Sequence, residues 1–190
     1  MMTPLRHLMT TAAIAALILP VPLAAQTPAG TILTFIVPQG QFGSNNYTNL
    51  VTNTLAAAKK FCGALDKSYH VDCLAERIGA MADEIPADTD YAEVRSILSK
   101  ASNDMAKLAR ANRDTSKPRA SAAAGSVQTT RPLTPVTEAS AASTNAQAAA
   151  ILDATATLLL RTPDDESGKR ATYARIADAL GSNKTLLRST

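Results

Sequence analysis

Residues Phe61–Ile78 read FCGALDKSYHVDCLAERI, and the reading of this stretch decides the fold. Its two cysteines, Cys62 and Cys73, lie on either side of a polar break at Asp66-Lys67-Ser68. Upstream, Tyr47, Leu50, Val51, Leu55, Ala58, Phe61, Cys62 and Leu65 recur at intervals of three and four, the spacing of one helix face. Downstream, Cys73, Leu74, Ile78, Met81, Ala82 and Ile85 repeat the pattern until Pro86 ends it. A bridge between the cysteines therefore staples an αα-hairpin at its turn.

Whether the two thiols bridge depends on the compartment, and the first residues bear on that. Arg6 and His7 open a charge-free run from Leu8 to Leu23 whose most apolar part is Ala12–Leu19. Pro20 and Pro22 then precede the small pair Ala24–Ala25, the layout of a cleavable signal peptide. A spanning helix needs about 20 apolar residues to cross roughly 30 Å of hydrocarbon. At about 1.5 Å per residue, Ala12–Leu19 covers only about 12 Å. The expectation is an exported chain, periplasmic or secreted, with no stable transmembrane segment after cleavage. In such a compartment an even pair of cysteines reads as a disulfide. Closing so short a loop contributes about 3 kcal/mol by chain entropy.

That contribution matters because the remaining composition is poor in large side chains. There is no tryptophan, and three phenylalanines and four tyrosines supply all the aromatic area. Alanine dominates the apolar fraction and buries little surface per residue, at roughly 25 cal/mol per Å². The formal net charge is +3, and Arg6 leaves with the signal peptide. So small a surplus gives no global field of the kind that binds nucleic acid.

Working outward along the chain, residues 26–46 hold one apolar run, Thr31–Val37, stopped by Pro38. It predicts a single extended segment, with no second convincing strand to pair with it. A third helix is marked by Asp90 and Glu93 at capping-box spacing. Its apolar face is Tyr91, Val94, Ile97, Leu98, Ala101, Met105, Leu108 and Ala109. From Thr115 to Ser143 Ala, Ser, Thr and Pro dominate, which is linker composition. A helix over Thr144–Leu160 follows, starting as early as Val136 and apolar around most of its circumference, a pattern that belongs inside a bundle or between subunits. Thr162-Pro163-Asp164-Asp165 starts the last helix, with Tyr173, Ile176, Ala177 and Leu180 inward and Gly181 as its C-terminal cap.

The expected organisation is a signal peptide over 1–25, an extended or loop segment over 26–46 and a three-helix domain over 47–114. A low-complexity linker over 115–143 and a C-terminal helix pair over 144–190 complete it. The fold class is mainly α: a small antiparallel helical bundle with a disulfide-stapled αα-hairpin, a Pro/Ala/Ser/Thr-rich linker and a C-terminal helix pair.

Catalytic signals are sparse. The sequence holds no G-x-S-x-G elbow, no H-E-x-x-H and no P-loop. His70 is the one histidine outside the signal segment, and with Cys73, Cys62 and Glu76 it sketches a metal site. Oxidation of both thiols leaves too few ligands for closed zinc coordination, so no metal and no cofactor is expected. Asp83-Glu84 and Asp164-Asp165-Glu166 are the obvious acidic clusters, and neither reads as a catalytic pair. Lys107, Arg110, Arg113 and Lys117 form a basic stripe that is a weak candidate for anion contact, more simply a solvated helix C-terminus. No aromatic residues interleave with it for base stacking, so no nucleic-acid partner is expected.

The two apolar features left over are Ile32, Phe35 and Val37 in the extended run, and Ile151, Leu158 and Leu159 on the over-apolar helix. They are the expected interaction surface for a protein partner or a second copy of the chain. The functional expectation is a non-enzymatic binding or structural component of the cell envelope. The alternatives are a carrier of small apolar ligands between loosely packed helices, or an enzyme whose site shows only in three dimensions.

Overall fold

The structure, a computed structural model, describes residues 45–89, 91–162 and 169–188. The expected signal segment, the Ile32–Val37 run, Asp90 and residues 163–168 lie outside the described residues. Among the described residues five helices carry the fold: α1 (Asn45–Gly63), α2 (His70–Asp83), α3 (Ala92–Ala111), α4 (Glu138–Arg161) and α5 (Lys169–Arg188). A short 3₁₀ turn at Lys67–Tyr69 joins α1 to α2, and β1 (Ala123–Ala124) and β2 (Val127–Gln128) lie between α3 and α4.

The stapled hairpin is present. Cys62 and Cys73 are bonded, both fully buried, with Cα atoms 5.6 Å apart. Each helix packs on its neighbours in sequence, and α5 returns to pack on α1, so the bundle closes around one shared core. The C-terminal pair is thus part of the same bundle as the first three helices. Tyr47, Tyr91 and Tyr173 knit three helix starts together, with ring centroids 4.2 Å and 6.3 Å apart in succession. All three rings are buried, and burial raises the Tyr47 phenol well above its ordinary range.

Helix α2 is the axis of the molecule. Ten of its residues are buried, including His70, Asp72 and Glu76, so it has almost no solvent face. Against α3 the approach is close: a Cβ on Gly79 meets the Ser102 hydroxyl at 2.5 Å. That hydroxyl donates to the Ala75 carbonyl at 2.7 Å. Helix α3 buries Val94, Ile97, Leu98, Ala101, Met105 and Ala109, the face expected from its spacing. Its N-cap is Tyr91 rather than Asp90. The lead-in is a turn in which Thr89 bonds the Pro86 carbonyl and accepts from the Tyr91 amide, which shifts the start by one residue.

Two expectations near the C-terminus change. Helix α5 runs through Gly181 to Arg188 instead of capping there. Burial of Asn183, Leu186 and Leu187 outweighs the roughly 1 kcal/mol a mid-helix glycine costs. Helix α4 begins at Glu138, behind Thr137, so the last residues of the expected linker are helical.

The largest difference lies in residues 112–137. This connection keeps a linker's composition but is not free chain. It is a long irregular hairpin closed by Thr137–Asn112 and Asp114–Pro135 hydrogen bonds at its base. Paired Ala120 and Leu133 follow, then the β1–β2 ladder with Ala124 opposite Val127. Gly125 turns the tip at φ +60°, where only glycine is unstrained. Leu133, Thr134 and Val136 are buried against the bundle.

Candidate functional site

The hairpin arm lies along α2, and three sets of contacts hold it there. At its base the Val136 amide donates to the Ser68 carbonyl at 2.8 Å, and the Tyr69 hydroxyl donates to the Pro118 carbonyl at 2.7 Å. Beside them Lys117 pairs with Asp66 at 3.2 Å. Asp66 is held down to about 2 by the Ser68 hydroxyl and amide and then by Lys117. Lys117 is raised in turn by Asp66.

Midway, two acids of α2 take the arm. Asp72 and Glu76 are spaced i, i+4 and so share one helix face. Arg131 grips Asp72 with two bonds of 2.7 Å, and the Thr134 amide adds a third at 2.6 Å. Asp72 is fully buried while the Arg131 side chain is 36% exposed, and the pairing raises the guanidinium further. Glu76 accepts from the Thr130 amide at 2.8 Å and hydroxyl at 2.9 Å, and pairs with Arg77. Every carboxylate oxygen of the two acids has a donor. This arrangement is structural: it positions the arm and leaves no acid free for proton transfer.

Pinned this way, the arm's tip overhangs the seam between α1 and α2 and closes one side of a groove of about 520 Å³. Leu50, Ala57, Ala58 and Phe61 of α1, Ala80 and Met81 of α2, and Val127 of the tip make its walls mainly apolar. Asn53, Gln128 and Thr130 add polar edges. Arg77 lies at the Phe61 end, its guanidinium 5.6 Å over that ring. Asp83 and Glu84 stand at the Leu50 end. The volume falls within the roughly 300–1,000 Å³ typical of small-molecule sites.

The other candidates from the sequence do not assemble. Leu159 is fully buried and belongs to the core, which removes it from any interaction surface. A helix packed on α3 and α5 must turn one leucine of the Leu158–Leu160 run inward. Leu158 and Leu160, at 46% and 55%, are exposed, and Ile151 is partly buried against the core. Ile32, Phe35 and Val37 lie outside the described residues. The basic stripe is divided: Lys107 and Arg110 are on α3 and exposed, Arg113 follows the helix, and Lys117 is committed to Asp66.

His70 is buried at the first position of α2, with Nε2 donating to the Leu65 carbonyl at 3.1 Å and Nδ1 without a partner. Burial lowers its pKa, so the neutral imidazole is favoured. The drawn metal set is dissolved by the disulfide and by the bonds that occupy Glu76. Among the described residues no three metal-ligating side chains cluster, and no helix is long and apolar enough to cross a membrane.

No family model, curated protein or solved structure matches this chain. The groove is therefore read from its own geometry. Sequence reasoning missed both the groove and the arm that forms its side. The available signal was the acid pair Asp72 and Glu76 inside an otherwise apolar helix, since buried acids require donors from elsewhere in the chain.

Proposed function

We propose that this chain is an exported, non-enzymatic binding protein of the cell envelope, periplasmic or secreted, whose working site is the groove beneath the hairpin tip. The observation that carries this reading is the groove itself: apolar walls from three separate elements, held open by an arm bonded to buried acids. An apolar ligand gains from leaving water along such walls, and the polar edges orient it. The disulfide is compatible with an oxidising compartment. Neutral phenylnaphthylamine, which fluoresces when taken out of water, tests the site. It should bind saturably to the oxidised protein, and Ala57→Trp should abolish binding, because Ala57 faces the groove from an exposed position. Absent binding, or binding indifferent to that substitution at unchanged thermal stability, sinks the reading.

A second reading, association with a protein partner or another copy, is favoured by Leu158 and Leu160, the large apolar side chains exposed on α4. Two leucines are a small patch beside the several hundred Å² that mark interaction surfaces. Light scattering at high micromolar concentration, with and without Leu158→Lys and Leu160→Lys, decides it. A strict monomer removes the self-association version.

A further inference from the structure

The two ends of the groove differ in charge. At one end the Arg77 guanidinium is committed twice, to both carboxylate oxygens of Glu76 and to the face of Phe61. An anionic group arriving there meets a guanidinium whose charge is already balanced by Glu76, and among the described residues that line the groove no other is basic. At the other end Asp83 and Glu84 line the groove, and neither side chain makes a hydrogen bond or ion pair with any described residue. Arg95, the base nearest this end of α2 in the bonding pattern, donates to the Ile85 carbonyl at 2.9 Å and makes no ion pair with either acid.

These two acids are also in the wrong place for stability. Asp83 is the last residue of α2 and Glu84 its C-cap. Exposed carbonyls make a helix C-terminus partially negative, and a carboxylate there is repelled rather than attracted. Basic residues are the usual choice at that position, as Arg110 and Arg188 are in α3 and α5. Two unpaired acids at a negative helix end, opening into an apolar channel, form a surface whose complement is a cation attached to an apolar body.

We propose that the groove takes a cationic amphiphile, its apolar chain along α1 and α2 and its ammonium group between Asp83 and Glu84. This deepens the groove reading above and rests on it. From Leu50 to Phe61 the walls extend about 16 Å at 1.5 Å per residue, enough for a dodecyl chain. The distinguishing comparison keeps that chain and changes the head. Dodecylammonium, dodecyl maltoside and dodecanoate, each below its micelle concentration, compete against bound phenylnaphthylamine at neutral pH and low salt. Dodecylammonium should bind about tenfold more tightly than the maltoside, the scale of one close ion pair in a partly solvated site. Dodecanoate should be the weakest of the three.

The double substitution Asp83→Asn and Glu84→Gln should erase the ammonium preference, read as the ratio of dodecylammonium to maltoside affinity in the same variant. Added salt should weaken only the ammonium compound in the parent protein. Equal affinity for all three heads, or tighter dodecanoate, overturns the cationic assignment while leaving the groove reading intact. If none of the three competes and the probe itself does not bind, both fail together. Because both acids are surface residues at a helix end where they repel the dipole, their amides should fold at least as stably as the parent. A melting curve on the variant confirms that.

Discussion

The hairpin around Phe61–Ile78 and the arm over residues 112–137 cover the two sides of the same helix, yet they are held by different means. On one side α2 meets α1 through a disulfide and apolar side chains at helical spacing. On the other, the arm buries only Leu133 and Val136 among large side chains, and Asp72 and Glu76 fix it through charged and amide hydrogen bonds. Apolar contacts are non-directional and repeat with the helix, so they leave a period in the sequence. Polar pins are directional and few, so they leave only isolated residues. Low-complexity composition therefore does not imply a free linker when a neighbouring helix carries buried acids.

The arm gives the sharpest way to break that contrast. Arg131→Ala strands Asp72, fully buried, with only the Thr134 amide for its charge. Loss of about 3–4 kcal/mol is expected, toward the lower part of the range for a broken buried pair because Arg131 is partly solvated. Urea unfolding measures it. Pairing Arg131→Met with Asp72→Leu should recover most of the loss, since the cost lies in the uncompensated charge rather than in the missing bonds. If Arg131→Ala costs under about 1 kcal/mol, the pair behaves as a surface ion pair and the arm is not pinned by charge.

The staple comes next. Cys62→Ser with Cys73→Ser should lower stability by about 3 kcal/mol, the chain entropy released to the unfolded state when the loop is freed. In hydrogen exchange the loss should appear throughout the bundle, whereas Arg131→Ala should first release the amides of Ala120, Thr129 and Leu133 in the arm. Identical exchange patterns for the two variants would show that staple and arm form one cooperative unit, and the contrast between them would collapse.

These two variants also mark what the sequence could convey. The apolar faces of α1, α2 and α3 were legible because Leu55, Ile78, Leu98 and their neighbours recur at three and four, and the cysteine pair told which helices meet. Helix α5 was legible at Tyr173 and Ile176 but not at its end, where Leu186 and Leu187 are called into the core by contacts distant in sequence. Leu158–Leu160 showed a helix with apolar residues on every side but not which leucine faces inward. That choice belongs to the docking of α4 on α3 and α5. The groove was the least legible feature. Its walls combine Ala57, Met81 and Val127, positions that have no local relation until Arg131 and Thr130 bring the arm down. Asp83-Glu84 was visible as a pair, and only the groove between its neighbours makes its position mean something.

Acid separates the two sides by a different measure, with the smallest expected effect. Burial holds the His70 imidazole below its ordinary 6.5, so the unfolded chain binds more protons than the folded one. Its contribution is complete above pH 6.5 and declines as pH falls below that value, on the hairpin side of α2. At the base of the arm, Asp66 is depressed from 3.8 to about 2, so its contribution is present above pH 3.8 and is lost only as pH falls toward 2. Asp66 is exposed, and solvent screening keeps its share small. Chemical unfolding between pH 7.5 and 5 should therefore show a slope that His70→Gln removes and Asp66→Asn leaves untouched. Had both substitutions flattened the same pH range, the two sides of α2 would share one titration, and the separation drawn between staple and arm would fail at its weakest point.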